Sequence, residues 1–101
     1  MVKLVVTYQH PADPAEFDRR YFEEHMPLVR QWPGVVRTEL ARVTGAPGGQ
    51  PSPLYMIAEV YFQDLESLNA ALASEPGRLA GKNIRSFARE IMAMHIAEVV
   101  D

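Results

Sequence analysis

Apolar side chains fall into four short runs, and between them lie stretches where they recur every three or four residues. Residues 2–9, with Val2, Leu4, Val5, Val6 and Tyr8, predict a buried strand that Pro11 stops. Asp13-Pro14-Ala15-Glu16 then opens a helix: Asp13 caps, Pro14 suits the first helical position and Glu16 completes a capping box. This helix should run from Pro14 to about Trp32, with Pro33-Gly34 ending it. Val35 to Thr44 predicts a second strand, and Gly45 to Pro53, rich in glycine and proline, a loop. Leu54 to Phe62 predicts a third strand. Asp64 caps a second helix carrying Leu65, Leu68 and Leu72, which Pro76-Gly77 breaks. Residues 78–89 form a further helical segment with Leu79, Ile84 and Phe87, and Ile91 to Val100 is the last strand. The order β-α-β-β-α-β is the ferredoxin-like arrangement of an α+β fold, a four-stranded antiparallel sheet. No repeat, linker or low-complexity tract interrupts it, so residues 1–101 read as one domain.

Two helices on one face of a four-stranded sheet leave the other face bare. Strand three is apolar on both parities, with Leu54, Met56, Ala58, Val60 and Phe62 against Tyr55, Ile57 and Tyr61. Strand four is likewise apolar on both, with Ile91, Ala93, Ala97 and Val99 against Met92, Met94, Ile96 and Val100. A sheet apolar on both faces needs cover on both. Two copies packed sheet to sheet would supply it, so a homodimer is expected.

The first helix carries the candidate chemistry. Counted from Phe17 at roughly 100° per residue, Tyr21 lies at about 40°, Trp32 at about 60° and His25 at about 80°. His25 therefore sits in the apolar arc, away from Asp18, Arg19, Glu23 and Arg30, and Tyr21, four residues earlier, neighbours it. An imidazole in apolar surroundings needs a hydrogen-bond partner or a polar cavity. Pro27 has no N–H, so the Glu23 carbonyl loses its helical donor and the helix should bend beside His25. Imidazole is also the side chain suited to moving a proton near neutral pH. The same residue could be an ordinary core histidine bonded to a carbonyl or a tyrosine. His95, among small Ala93 and Ala97, could line a cavity or an interface; His10 precedes Pro11 in a turn.

Composition narrows the partners. Of 101 residues, 48% are hydrophobic and 23% charged, with a net charge of −3, which excludes a disordered chain and argues against nucleic acid. There is no cysteine, and the three histidines show no metal-ligand spacing. No apolar stretch approaches membrane-spanning length and the first residues make no signal peptide, so a cytoplasmic address is the default expectation. The glycines at 45, 48 and 49 lie between strands and make no dinucleotide fingerprint.

The stretch Asp18-Arg19-Arg20-Tyr21-Phe22-Glu23-Glu24-His25-Met26-Pro27-Leu28-Val29 resembles the first-helix signature of the EthD (ethyl tert-butyl ether degradation) family, within the dimeric α+β barrel superfamily. Tyr8-Gln9-His10-Pro11-Ala12-Asp13, Ala58-Glu59-Val60-Tyr61-Phe62, Asp64-Leu65-Glu66-Ser67-Leu68 and Ser74-Glu75-Pro76-Gly77 are similar too. The resemblance implies a sheet-to-sheet homodimer with a pocket between sheet and helices in each subunit. Superfamily relatives include cofactor-free monooxygenases, polyketide cyclases, muconolactone isomerases and haem-handling proteins, and EthD proteins are often labelled oxidoreductases. It carries His25, and less directly Tyr21, over as catalytic residues. Many relatives hold an aspartate where this chain has Asn83, and an amide cannot act as a general base.

The expected function is an enzyme, of oxidoreductase class or cofactor-free, acting on a small apolar oxygenated compound. His25 and Tyr21 would do the chemistry, and Tyr8, Phe17, Trp32, Phe87 and His95 would line the ligand site. No cofactor or metal is called for. The alternatives are a binding or accessory protein that holds a degradation intermediate unconverted, and a structural dimer with a filled core.

Overall fold

The computed structural model describes residues 1–101. Along the chain run β1 (Val2–Gln9), α1 (Pro14–Arg20), a π-helical turn (Tyr21–His25), α2 (Met26–Val29), β2 (Val35–Arg42) and β3 (Leu54–Phe62). Then follow α3 (Leu65–Ala73), α4 (Glu75–Ala88) and β4 (Met92–Glu98). The strands form one antiparallel sheet in the order β2-β3-β1-β4, which is the ferredoxin-like fold. The caps explain the helix starts. Asp13 accepts from the Glu16 N–H at 3.1 Å and Asp64 from the Ser67 N–H at 2.8 Å.

The pairing register decides which side chains meet the helices. Leu4, Val6 and Tyr8 of β1 stand opposite Val60, Ala58 and Met56 of β3, and all six are buried against the helical layer. Phe17, Tyr21, Met26 and Val29 cover them from one side, and Leu68, Ala71, Ala80, Ile84 and Ala88 from the other.

The same register corrects the expectation of two apolar faces. Away from the helices point Lys3, Val5 and Thr7, opposite Tyr61, Glu59 and Ile57. Beside these lie Arg37, Glu39 and Ala41 of β2. Lys3 and Glu59 are ion-paired at 2.6 Å, and Arg37 lies over the Tyr61 ring at 4.1 Å. This face is therefore mixed, because alternation assigns most of the large apolar residues of β1 and β3 to the helix side.

Two helix readings also change. Pro76-Gly77 does not break a helix but lies in the first turn of α4, where a missing proline N–H costs nothing. The break falls at Ser74, whose hydroxyl accepts from the Gly77 N–H at 3.2 Å. The first helix is not one continuous α-helix: it widens into a π turn at Tyr21–His25, and α2 ends at Val29, short of Trp32.

Candidate functional site

His25 sits on the π turn, where the Met26 N–H donates to the Tyr21 carbonyl five residues back. A single widened turn of this kind re-aims side chains within a helix and is common at functional sites. It precedes Pro27, which can donate to no carbonyl at all. On an α-helix residues four apart diverge by roughly 40°; the wider turn brings Tyr21 and His25 closer to alignment, with ring centroids 5.1 Å apart.

His25 is 7% exposed, the one polar side chain in the buried set. Burial drives its pKa down to about 4, so the ring is neutral near pH 7. Two groups on α4 oppose that shift, the Asn83 side chain and the Ala80 carbonyl. Of the backbone groups, it is that of Ala80 on the neighbouring helix, not the Glu23 carbonyl, that acts on the imidazole. Nδ1 is nevertheless sealed from solvent without a partner at hydrogen-bonding distance. Asn83 in turn donates through Nδ2 to Glu24 Oε1 at 3.0 Å, and Arg20 Nε donates to the same oxygen at 3.2 Å.

His25 borders a hollow of about 30 Å³ between the sheet and the first helix. Leu4, Val6 and Tyr8 of β1 and Ala58 and Val60 of β3 form its floor. Tyr21, His25, Met26, Val29 and Trp32 form the roof, and Thr38 and Leu40 of β2 close the remaining side. Trp32 is pinned across the helical layer, its indole N–H donating to the Pro76 carbonyl at 3.1 Å.

Tyr8 and Tyr21 meet edge to face at 5.4 Å, and each affects the acidity of the other. Burial pushes the Tyr21 hydroxyl up to about 12 and that of Tyr8 higher still. Both phenols stay protonated at neutral pH, so they can hydrogen-bond to a ligand but cannot serve as bases.

Of the residues singled out in the sequence, Tyr8, Tyr21, His25 and Trp32 converge on this hollow. Phe17 stands behind it, stacked on Tyr21 at 5.6 Å, and Phe87 packs on Phe17 beneath the Arg20 guanidinium, outside the hollow. His95 pairs opposite Val5, so it lies on the other face of the sheet, exposed and apart from His25. Glu24 and the role of Asn83 escaped sequence reasoning, because nothing local reveals which residue of α4 faces the π turn. Nowhere in the chain do three or more His, Asp or Glu side chains converge as metal ligands would.

Relatives share this framework. A protein of Rhodococcus erythropolis, described as an uncharacterized 11.0 kDa protein in the thcB-thcC intergenic region, is 38% identical over 88 residues, covering 87% of this chain and 84% of the relative. The crystal structure of an ethyl tert-butyl ether degradation (EthD) family protein from Bacillus halodurans C-125 superposes with a TM-score of 0.94 at 37% identity, over 99% of both chains. A dimeric ferredoxin-like protein of unknown function from Jannaschia sp. CCS1 has the same fold, with a TM-score of 0.72 at 15% identity over 98% of this chain and 100% of that one. Residues 9–89, which include the π turn, the sheet wall at β2 and Asn83, match the EthD domain, and with two relatives above one-third identity over nearly the full length, this chain belongs to the EthD family.

Proposed function

We propose that this protein is a small-molecule enzyme in which His25 exchanges a proton with a largely apolar, oxygenated compound held between sheet and helix. One observation carries the reading: a neutral, buried imidazole borders an apolar hollow, with a protonated tyrosine packed beside it. Apolar lining with a few convergent polar groups is the usual make-up of a ligand site. At about 30 Å³ the hollow has room for a water molecule and little more. A larger guest must therefore displace a wall, and β2 offers the yielding side, since Thr38 is exposed and Leu40 only half-buried. We take the working unit to be a homodimer packed sheet to sheet, in line with the dimeric fold relative.

The test is a thermal-shift screen of small phenols, ketones, esters and ethers, followed by turnover assays on those that bind. His25→Gln should abolish turnover while leaving the circular dichroism spectrum unchanged. Undiminished turnover in that variant would remove His25 from the mechanism.

A further inference from the structure

We infer that Asn83, oriented by Glu24, holds His25 as the Nδ1–H tautomer, so that Nε2 meets a ligand as a bare acceptor and the site prefers compounds that donate a hydroxyl hydrogen. The ligand half of this inference rests on the proposed use of the hollow; the tautomer half does not.

The argument begins at Glu24. A carboxylate only accepts hydrogen bonds, so the Asn83 atom that meets it at 3.0 Å must be the Nδ2 donor. The amide is thereby oriented, and Oδ1 is turned away from Glu24. That oxygen is buried and has no hydrogen-bond partner. The chain has one other buried side-chain polar atom in this condition, His25 Nδ1. The two orphans belong to neighbours: Asn83 is hydrogen-bonded to Glu24, the residue next to His25, and its side chain acts on the imidazole. A proton on Nδ1 would give the oxygen a donor and the nitrogen an acceptor once the two side chains close to hydrogen-bonding distance. A lone pair on Nδ1 would leave both unmatched and set two acceptors against each other. Ala80, three residues before Asn83 on the same face of α4, presents its carbonyl to the ring as another acceptor.

Nothing nearby overrides this choice. Tyr21 from the π turn packs at a tilt against the ring, its centroid 5.1 Å away, and Tyr8 from β1 lies beyond it, both protonated. No charged side chain acts on the ring; the carboxylate of Glu24 reaches it only through the amide. Nε2, unlike Nδ1, is not among the buried atoms left without a partner. A neutral imidazole with its proton on Nδ1 can accept at Nε2 but cannot donate there. A phenol or an alcohol satisfies that atom, whereas a ketone, ester or ether oxygen would oppose one lone pair with another. Asn83 is a positioning residue in this scheme. An aspartate in its place would pair with the imidazolium and make the ring a donor at both nitrogens.

The tautomer is read in the ligand-free protein by two-bond nitrogen–proton NMR correlation of the His25 ring. Wild type should show one tautomer, protonated at Nδ1. Glu24→Gln, whose amide can face Asn83 by either end, should produce a mixture. Asn83→Asp should raise the pH at which the ring titrates by about 1–3 units. Phenol should bind wild type at least tenfold more tightly than anisole, which has the same ring without the hydroxyl hydrogen, a difference of about 1.4 kcal/mol, and Asn83→Asp should erase that preference. A proton found on Nε2 in wild type, an unmoved tautomer in Glu24→Gln with an unmoved titration in Asn83→Asp, or equal affinity for phenol and anisole would overturn the inference. An Nδ1 proton together with undiminished turnover in His25→Gln would instead leave the tautomer standing and sink the proposed function.

Discussion

At the scale of the residue, the site depends on keeping an imidazole neutral inside a packed layer. Burial lowers the His25 pKa from 6.5 to about 4. Between those values the unfolded chain binds a proton that the folded chain does not. Stability therefore rises with pH across this window: His25 has no effect above about pH 6.5, and the penalty grows as pH falls toward 4. A depression of that size corresponds to something on the order of 3 kcal/mol. Chemical denaturation followed from pH 7 to pH 4 should show wild type losing stability faster than His25→Gln, which has no proton to bind there. Parallel curves for the two proteins would mean that the ring reaches water in the folded state. The tyrosines differ, since their depressed acidity leaves them uncharged throughout this range. In the proposed function they supply shape and hydroxyl hydrogen bonds, and the proton chemistry falls to His25.

At the scale of the element, two helix interruptions place the site. The π turn brings Tyr21 and His25 together, and the Ser74 cap starts α4 close to the end of α3, so that Trp32 can reach the Pro76 carbonyl. Gly77 shows how tight that junction is. A Cβ there would come within 2.1 Å of the Ala71 carbonyl oxygen and 2.7 Å of that of Leu72, both backbone atoms that cannot swing aside. Gly77→Ala should destabilise the fold by roughly 1–3 kcal/mol or more, measured by urea denaturation. It should also loosen the Trp32 hydrogen bond, visible in the indole N–H resonance. An unchanged midpoint would show that α3 and α4 have slack. The sequence made most of this level legible: β1 and β3 occupy the residues their patterns mark, and β2 and β4 fall short of their expected ends by one or two residues. Tyr21 and His25 were also legible as neighbours, because four-residue spacing survives a widened turn. The π turn was not, since Pro27 announces a disturbance without saying which carbonyl is skipped. The Glu24–Asn83–His25 contact was illegible because it depends on how α4 is rotated against the first helix, and no periodicity encodes rotation between two elements.

At the scale of the whole molecule, a layer of helices covers one side of the sheet and nothing covers the other. The molecule measures 39 × 33 × 19 Å, a slab whose broad face exceeds the roughly 800 Å² per partner of an ordinary stable interface. Val5, Thr7 and Ile57 lie near the middle of that face and are only half-buried. Around them stand Lys3 and Arg37, balanced by Glu59 and Glu39. A second copy of the same face therefore meets no net repulsion, and the polar groups can re-pair across a two-fold axis. Ile57 is the residue to change, because it is paired with Thr7 on one side and Ala41 on the other, far from the helical core. In an isolated chain Ile57→Asp exposes a carboxylate on a face already wet, at little cost. In a sheet-to-sheet dimer the same change buries two carboxylates in the interface without partners, which costs several kcal/mol. Sedimentation at micromolar concentration should thus give a dimer for wild type and a folded monomer for Ile57→Asp. If wild type itself sediments as one chain, or if the variant still dimerises, the covered face is some other one.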